Sequence, residues 1–476
     1  MTPKTEFPTS VAQIDRIHKA QHVYFKSKET LSISYRRKKL KDLKSVLLKY
    51  EQEICEALYA DFKKPFFESE LTEFIIVMME LNRVLKNLNK WTKPEKVYSG
   101  ILNFPSRSEI RFEPYGTILI IAPWNYPFQL IMSPLIATIA AGNTATLKPS
   151  ELTPNTSQLI QKIISEVFNS DYIAVVEGGI EQSQKLLSLK WDYIFFTGSP
   201  KVGKIVYEAA AKNLTPVTLE LGGKNACIVD DSVPLQLAAR RIIWGKFVNA
   251  GQTCIAPDYL IVKNSIKDAF VNYLKKELKK AYGDTPQNSP DYPRIINNAN
   301  FKRLTKLIEG HKIILGGEDE ENELYLAPTL LDLAHLNSKT EREKLPEVMN
   351  EEIFGPILPL VTFNKEEEIG EWISKFDKPL ALYVFAKNKS LINTILTEYS
   401  FGGGAVNDVI VQFTNHRLPF GGVGKSGIGA YHGHTSFKTF SHKKSVVSRA
   451  TWLDLPMRYA PYTQKLKWIK KLSRWL

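Results

Sequence analysis

The sequence predicts an α/β protein with two parallel-sheet domains. Two observations carry this. Short β-rich runs alternate with helical stretches from about residue 117 to 220, and a second such series begins near residue 225. Parallel strands need this rhythm, because each returns to the sheet through a crossover, usually a helix. No internal repeat or low-complexity tract competes with it.

The elements follow in order. About Ser10 to Trp91 reads as helical, since apolar residues recur at helical spacing and Gly is absent. Val97 to Ile121 changes character. There "SEIRFEPYGTILIIAP" alternates and then turns continuously apolar, as a half-exposed strand leading into a buried one would. The strands of the first series are "TILIIAP", "TATLKPS", "AVVEGG", "YIFFTGS" and "PVTLELGG". Between them "TPNTSQLIQKIISEVF" and "SPKVGKIVYEAAAKN" read as helices. The second series runs "NACIVD", a helix through Trp244, "YLIV", a helix to Lys280, "ILPLVTF" and "LALYVFA".

Composition excludes several classes. The chain has 476 residues, 43% hydrophobic and 24% charged, enough for a large core without staples. Cys55, Cys227 and Cys254 are too few for a disulfide framework, and no CxxC pair points to zinc. They read as reduced thiols of a cytoplasmic protein. No signal peptide and no membrane-spanning run is visible. The net charge of +13 gathers near the ends, in Arg36 to Lys44 and in the last residues from Leu455, where six Lys/Arg meet no acid. No basic-aromatic ladder occupies the middle, so no nucleic-acid partner is expected. The eight histidines form no ligand pattern and no metal is expected. His416 reads as shaping a loop.

Five local patterns carry chemistry. "FVNAGQTCIAP" sets Cys254 after Thr253 and a Gly-Gln pair, where a nucleophile would need access, backbone donors and surroundings that favour thiolate. "LELGGK" ends an apolar strand on Glu220. The carboxylate is then either desolvated, with its pKa raised toward general-base duty, or a paired structural group. "IAPWNYP" holds Asn125, whose amide either satisfies a turn or donates to an oxyanion. "YIFFTGSPKVGKIVYEAA" is a strand, a tight turn and a helix whose apolar stripe is Val202, Ile205, Val206, Ala209 and Ala210, with Ser199 as N-cap. Such a turn is either a plain junction or an anion cradle. "TLKPSE" sets Lys148 and Glu151 past a strand, as a surface ion pair or as a grip on ribose hydroxyls.

Together with "EEIFGP" and "PFGGVGKSG", these motifs resemble the aldehyde dehydrogenase superfamily in order and in the step from Glu220 to Cys254. The tail from "NDVIVQF" onward resembles the class 3 and fatty aldehyde branch. The resemblance implies two Rossmann-like domains and a β-arm for oligomerisation. It divides the chain into a dinucleotide-binding domain (1–96 and 112–220), a catalytic domain (221–403), an arm (97–111 and 404–445) and a basic tail (446–476). It also implies Cys254 as nucleophile, Asn125 and the Cys254 N–H as oxyanion donors, and Glu220 as the base that activates water. The implied cofactor residues are Lys148, Glu151, Thr197, Gly198, Ser199, Gly203, Glu352 and Phe354. The implied cofactor is NAD by preference, with NADP usable, and the implied assembly a homodimer. Thr253, Tyr126 and Trp244 are expected at the substrate, the two aromatics as tunnel walls or else as core. Medium- and long-chain aliphatic or aromatic aldehydes are the implied substrates. A CoA-acylating enzyme is the alternative, and Glu220 argues against it, because a thiol acceptor needs no water-activating base. A silent scaffold on the same fold is argued against by the retained Cys254, Glu220 and Asn125.

The tail "TQKLKWIKKLSRWL" places Leu466, Ile469, Leu472 and Trp475 or Leu476 at helical spacing among Lys465, Lys467, Lys470, Lys471 and Arg474. It is read as a short amphipathic helix, either lying on an anionic membrane or packed near a tunnel mouth.

Overall fold

A computed structural model describes residues 8–100, 103–454, 456–463 and 465–473. Two main sheets organise them. The first has six strands, in spatial order Gly427–Ile428, Val217–Glu220, Tyr193–Thr197, Thr117–Ile121, Thr144–Lys148 and Ile173–Val175. All neighbours are parallel except the first pair. Chain order runs outward one way from Thr117–Ile121 and then jumps to its other side at Tyr193–Thr197. The carboxyl ends of strands flanking such a switch point form a crevice.

The second sheet has seven strands, in order Ile313–Leu315, Thr329–Asp332, Ile357–Phe363, Tyr259–Lys263, Ala226–Val229, Ala381–Phe385 and Gly403–Val406. Only its first pair is antiparallel. A third sheet pairs Ser106–Pro114 with Glu95–Val97 on one side and Ser441–Arg449 on the other, all antiparallel. These strands overlap the two segments expected to form an arm.

Strand pairing crosses three of the expected boundaries. The division after residue 403 falls on the first residue of Gly403–Val406, which completes the second sheet against Ala381–Phe385. Gly427–Ile428, expected in the arm, adds to the first sheet beside Glu220. Ser441–Arg449 runs past the expected start of the tail. Strand pairing across long sequence separation decides all three.

The helical N-terminal region breaks into Val11–Lys26, Ile33–Lys49, Glu51–Phe62 and a last stretch in which Phe66–Ser69 and the π-helical Glu70–Phe74 run into Ile75–Trp91. One long helix went unread, Gln129–Ala141. Every residue of it is buried, so it shows no apolar stripe against a polar face. Arg36, counted above among the terminal basic residues, is buried against the end of this helix. Its guanidinium donates to Ala140 O at 3.0 Å and Thr30 O at 2.6 Å. A cation there complements the unsatisfied carbonyls of a helix C-terminus.

The stripe read for Pro200–Ala211 is also corrected. Gly203, Val206 and Ala210 are its buried face, while Val202 and Ile205 are exposed. A Cβ on Gly203 would meet Leu221, so glycine there lets the helix lie close to the sheet. In the tail, Leu466–Leu472 is helical, with Leu466, Trp468 and Ile469 exposed. Arg474, Trp475 and Leu476, and the side chains of Lys471 and Leu472, lie outside the described residues. No described helix is long and apolar enough to cross a membrane.

Candidate active site

Cys254 sits on a loop that the backbone must reverse sharply to form. After helix Leu235–Phe247, Asn249 and Ala250 take φ of 55° and 52°, and Gly251 takes 72°. A side chain on Gly251 would collide with Gly355 O, so the glycine of "GQTC" is sterically required. Side-chain amides then pin the loop. Asn225 Nδ2 donates to Cys254 O at 2.8 Å and to Ala256 O at 3.0 Å. The Tyr383 hydroxyl donates to Ile255 O at 2.7 Å. Asn249 Nδ2 donates to Asn125 O at 2.9 Å and to Gln252 O at 3.2 Å.

Asn125 follows the central strand Thr117–Ile121 and is buried. Its Nδ2 donates to Gln252 O at 2.9 Å, which leaves its second N–H without an acceptor among the described residues. Glu220 ends Val217–Glu220, in register with Thr197 on one side and Gly427 on the other. Both its carboxylate oxygens are buried without a hydrogen-bond partner. Burial pushes its pKa well above the ordinary carboxylate range. This is the desolvated carboxylate of the two sequence readings.

Cys254 departs from expectation. Burial first, then the charges of Glu352 and Glu220, push its thiol well above the usual range, although backbone N–H groups of Cys254 and Ile255 pull it back. The resting site therefore disfavours the thiolate that the sequence reading asked for. The main cause is burial, and two carboxylates brought from distant motifs to the same sulfur add to it. Alkylation of Cys254 by iodoacetamide is accordingly expected to accelerate about tenfold per pH unit through pH 9. A plateau near pH 7, read by mass spectrometry of the alkylated peptide, would contradict this.

Thr197, Glu220, Thr253 and Cys254 line a cavity of about 650 Å³. Tyr126 and Trp244 line it as well. Trp244 is 44% exposed, which rules out the core alternative for it. The Tyr126 hydroxyl is 2.7 Å from Thr253 Oγ1. Much of the wall is apolar, with Leu71, Ile76, Ile243 and Phe413.

The other expected residues gather at the crevice of the first sheet. Lys148 ends its strand opposite Ile121. Its ammonium is buried, donates to Pro149 O at 2.8 Å and lies 3.4 Å from the half-exposed Glu151. The pair is thus not a plain surface ion pair. Ser199 Oγ accepts from Val202 N–H at 3.3 Å, the N-cap predicted, and Gly198 precedes it in the turn. Thr197 belongs to the turn by sequence, but it also lines the tunnel, where its Oγ1 is buried without a partner. Gly203 follows in the first turn of the helix, packed against Leu221. Glu352 Oε1 is buried without a partner, and a Cβ on Gly222 would overlap this carboxylate. Burial, then the Asp258 charge, raise Glu352 to about 8. Phe354 takes φ 50° and meets Trp124 edge-on at 5.4 Å.

Several supporting residues were missed. Buried Lys224 donates to Val348 O at 2.6 Å and Glu351 O at 2.9 Å, and pairs with Asp258 at 2.5 Å. Asp258 Oδ1 accepts from Ile353 N–H at 3.0 Å. These two hold the "EEIFGP" loop, and both adjoin quoted motifs. Lys64, Glu68 and Glu73 also support the site from the N-terminal helices, where nothing local marks them. Among the described residues no group of His, Cys, Asp and Glu could hold a metal.

Comparison with known proteins places this geometry. Residues 7–446 match the aldehyde dehydrogenase family. The chain is 48% identical over 449 residues to the 4,4'-diaponeurosporen-aldehyde dehydrogenase of Staphylococcus aureus, covering 94% of this chain and 96% of that one. It is 43% identical over 461 residues to aldehyde dehydrogenase family 3 member A2 of Macaca fascicularis, covering 96% and 93%. A solved substrate-bound Staphylococcus aureus AldH superposes with a TM-score of 0.93 at 46% identity, covering 97% of this chain and 99% of that one. The CoA-acylating alternative is not favoured by these relatives. The chain belongs to the aldehyde dehydrogenase family and oxidises aldehydes to carboxylic acids with NAD or NADP.

Proposed function

We propose that the substrates are apolar aldehydes of medium to long chain, oxidised on Cys254 with NAD preferred. The observation that carries this is the cavity with largely apolar walls that reaches Cys254 and Glu220. Each methylene buried in such a tunnel contributes about 0.8 kcal/mol, or roughly fourfold in kcat/KM. Alkanals from propanal to dodecanal should therefore show kcat/KM climbing until the tunnel is filled. A flat series would reject the assignment.

In this reading the Cys254 thiol gives its proton to solvent, and its sulfur attacks the carbonyl carbon. The free N–H of Asn125 Nδ2 and the Cys254 backbone N–H hold the oxyanion. Loss of hydride leaves a thioester on Cys254. Glu220 then takes a proton from the water that cleaves the thioester, and the acid departs. The nicotinamide cofactor, when bound, supplies the hydride acceptor. The residues present fit it: the crevice lies at the switch point, and Glu352 offers an unpartnered buried oxygen toward a ribose hydroxyl. Phe354 would back the ring, Lys148 and Glu151 would hold the adenosine ribose, and the Gly198–Ser199 turn the pyrophosphate.

Glu151 sets a negative charge where a 2′-phosphate would lie, a repulsion of about 1 kcal/mol or more that Lys148 partly offsets. NAD is thus expected to be preferred and NADP usable. A higher kcat/KM with NADP would overturn the preference.

The strand Ser106–Pro114 is only partly buried along its whole length, which supports its role in a homodimer; a cytoplasmic location is part of the same reading. The exposed Leu466, Trp468 and Ile469 beside Lys465, Lys467 and Lys470 support a peripheral contact of the tail with anionic lipid. Light scattering is expected to give a dimer mass, and deletion of Lys465 to Leu476 to abolish sedimentation with anionic vesicles. A monomer, or unchanged sedimentation, would count against the respective reading.

A further inference from the structure

We propose that Glu68 makes the tunnel discriminate against aldehydes bearing an anionic group along or at the far end of their chain. The inference rests on the reading of this cavity as the aldehyde tunnel. Glu68 lies on the short helix Phe66–Ser69 and lines the cavity between apolar Phe67 and Leu71. Its Oε2 accepts from Asn249 N–H at 2.9 Å. Its Oε1 makes no hydrogen bond among the described residues, so one acceptor is left for whatever fills the cavity.

The position is beyond the reacting end but close to it. Asn249, which holds one oxygen of Glu68, also bonds Asn125 O through its side chain. The Glu68 charge acts on Tyr126, whose hydroxyl meets Thr253, and equally on Tyr282 further along the lining. Among the described residues no salt bridge pairs it: Lys64, whose charge acts on it, is buried and paired with Glu73 at 2.8 Å. Besides Glu220, which burial keeps largely protonated, the cavity lining holds three carboxylates, Glu68, Glu277 and Asp291, against two cations, Arg240 and Lys280. Arg240 is bound to Glu277 at 3.0 Å. The tunnel therefore opposes a second anion, while a hydroxyl can donate to Glu68 Oε1. Burial lifts Glu68 only to about 7, so it is ionised in mildly alkaline buffer.

The test compares kcat/KM for alkanals, ω-hydroxyalkanals and ω-carboxyalkanals of matched length at pH 8.5 with saturating NAD. Wild type, Glu68→Gln and Glu68→Met are measured. Gln keeps an acceptor for Asn249 without the charge, and Met keeps volume alone. The ratio of alkanal to carboxyalkanal within each protein cancels any general loss of activity, and octanal turnover reports a folded enzyme. Wild type should discriminate by about thirtyfold at chain lengths that reach Glu68, and either variant should narrow this by about tenfold. An unchanged ratio at every length in both variants overturns the proposal. A flat alkanal series in wild type would instead overturn the apolar-tunnel reading on which it stands.

Discussion

Glu220→Gln is expected to spare a first-turnover burst of NADH while lowering steady-state turnover by about a hundred- to ten-thousandfold. Gln preserves volume in a site where both carboxylate oxygens lack partners, so geometry should survive. What is lost is a base for the water that attacks the thioester. Cys254→Ala should abolish both burst and turnover and leave cofactor binding measurable by quenching of tryptophan fluorescence. The pH dependence has a definite sign. Burial holds Glu220 protonated to well above the ordinary carboxylate value, so its basic form grows as pH rises, and wild-type kcat should rise with it. The variant should lose that limb in the steady state and keep a rising burst rate, because the Cys254 thiol is also raised. Equal loss of burst and steady-state rate would show that Glu220 acts on the thiol as well as on water.

The same residue makes a stability prediction. A buried carboxyl with a raised pKa folds most favourably when protonated. Its contribution is lost as pH rises above the unfolded value near 4.5. Glu220→Gln should then unfold at a higher temperature than wild type at pH 8, with the gap closing toward pH 4.5. Such an exchange of stability for function is the usual cost of a desolvated base.

Lys64→Met is expected to destabilise the protein by about 3–5 kcal/mol in urea unfolding, since it strands a buried carboxylate. Lys64 and Glu73 are both fully buried and 2.8 Å apart. Glu73 lies in a π turn, Glu70–Phe74, and its second oxygen accepts from Phe128 N–H at 3.1 Å and Gln129 N–H at 2.8 Å. Those amides open the wholly buried helix Gln129–Ala141, whose first turn welcomes a negative charge. The Lys64 ammonium also lies 4.0 Å from the centre of the Tyr126 ring. Its loss should therefore reach Thr253 through Tyr126 and lower kcat/KM as well as stability. Glu73→Gln, which can still accept one of the two amides, should cost less in both measurements. A change under about 1 kcal/mol in Lys64→Met would reject the pair as a structural support.

The strands that carry Glu220, Lys148 and Thr197, and the loops of Asn125 and Cys254, were legible in the sequence, because their signals are local. A continuous apolar run, a strand-to-helix turn with a Ser cap, and a Gly before the nucleophile each fit within a few residues. Those stretches alone determined an α/β chain with its reactive groups at strand ends. The tertiary structure decided the rest. Gln129–Ala141 hid from periodicity because both its faces are covered. The strand Gly427–Ile428 could be assigned only by its pairing with Val217–Glu220. Lys64, Glu68 and Glu73 reach Tyr126, Asn249 and Phe128 from a helical region far away in the chain. The protonation states were likewise undecided. A thiol or carboxyl takes its pKa from the water it loses and the charges brought beside it. For Cys254 those charges are Glu220 and Glu352, carried in from two other motifs, and only the packed chain sets them together.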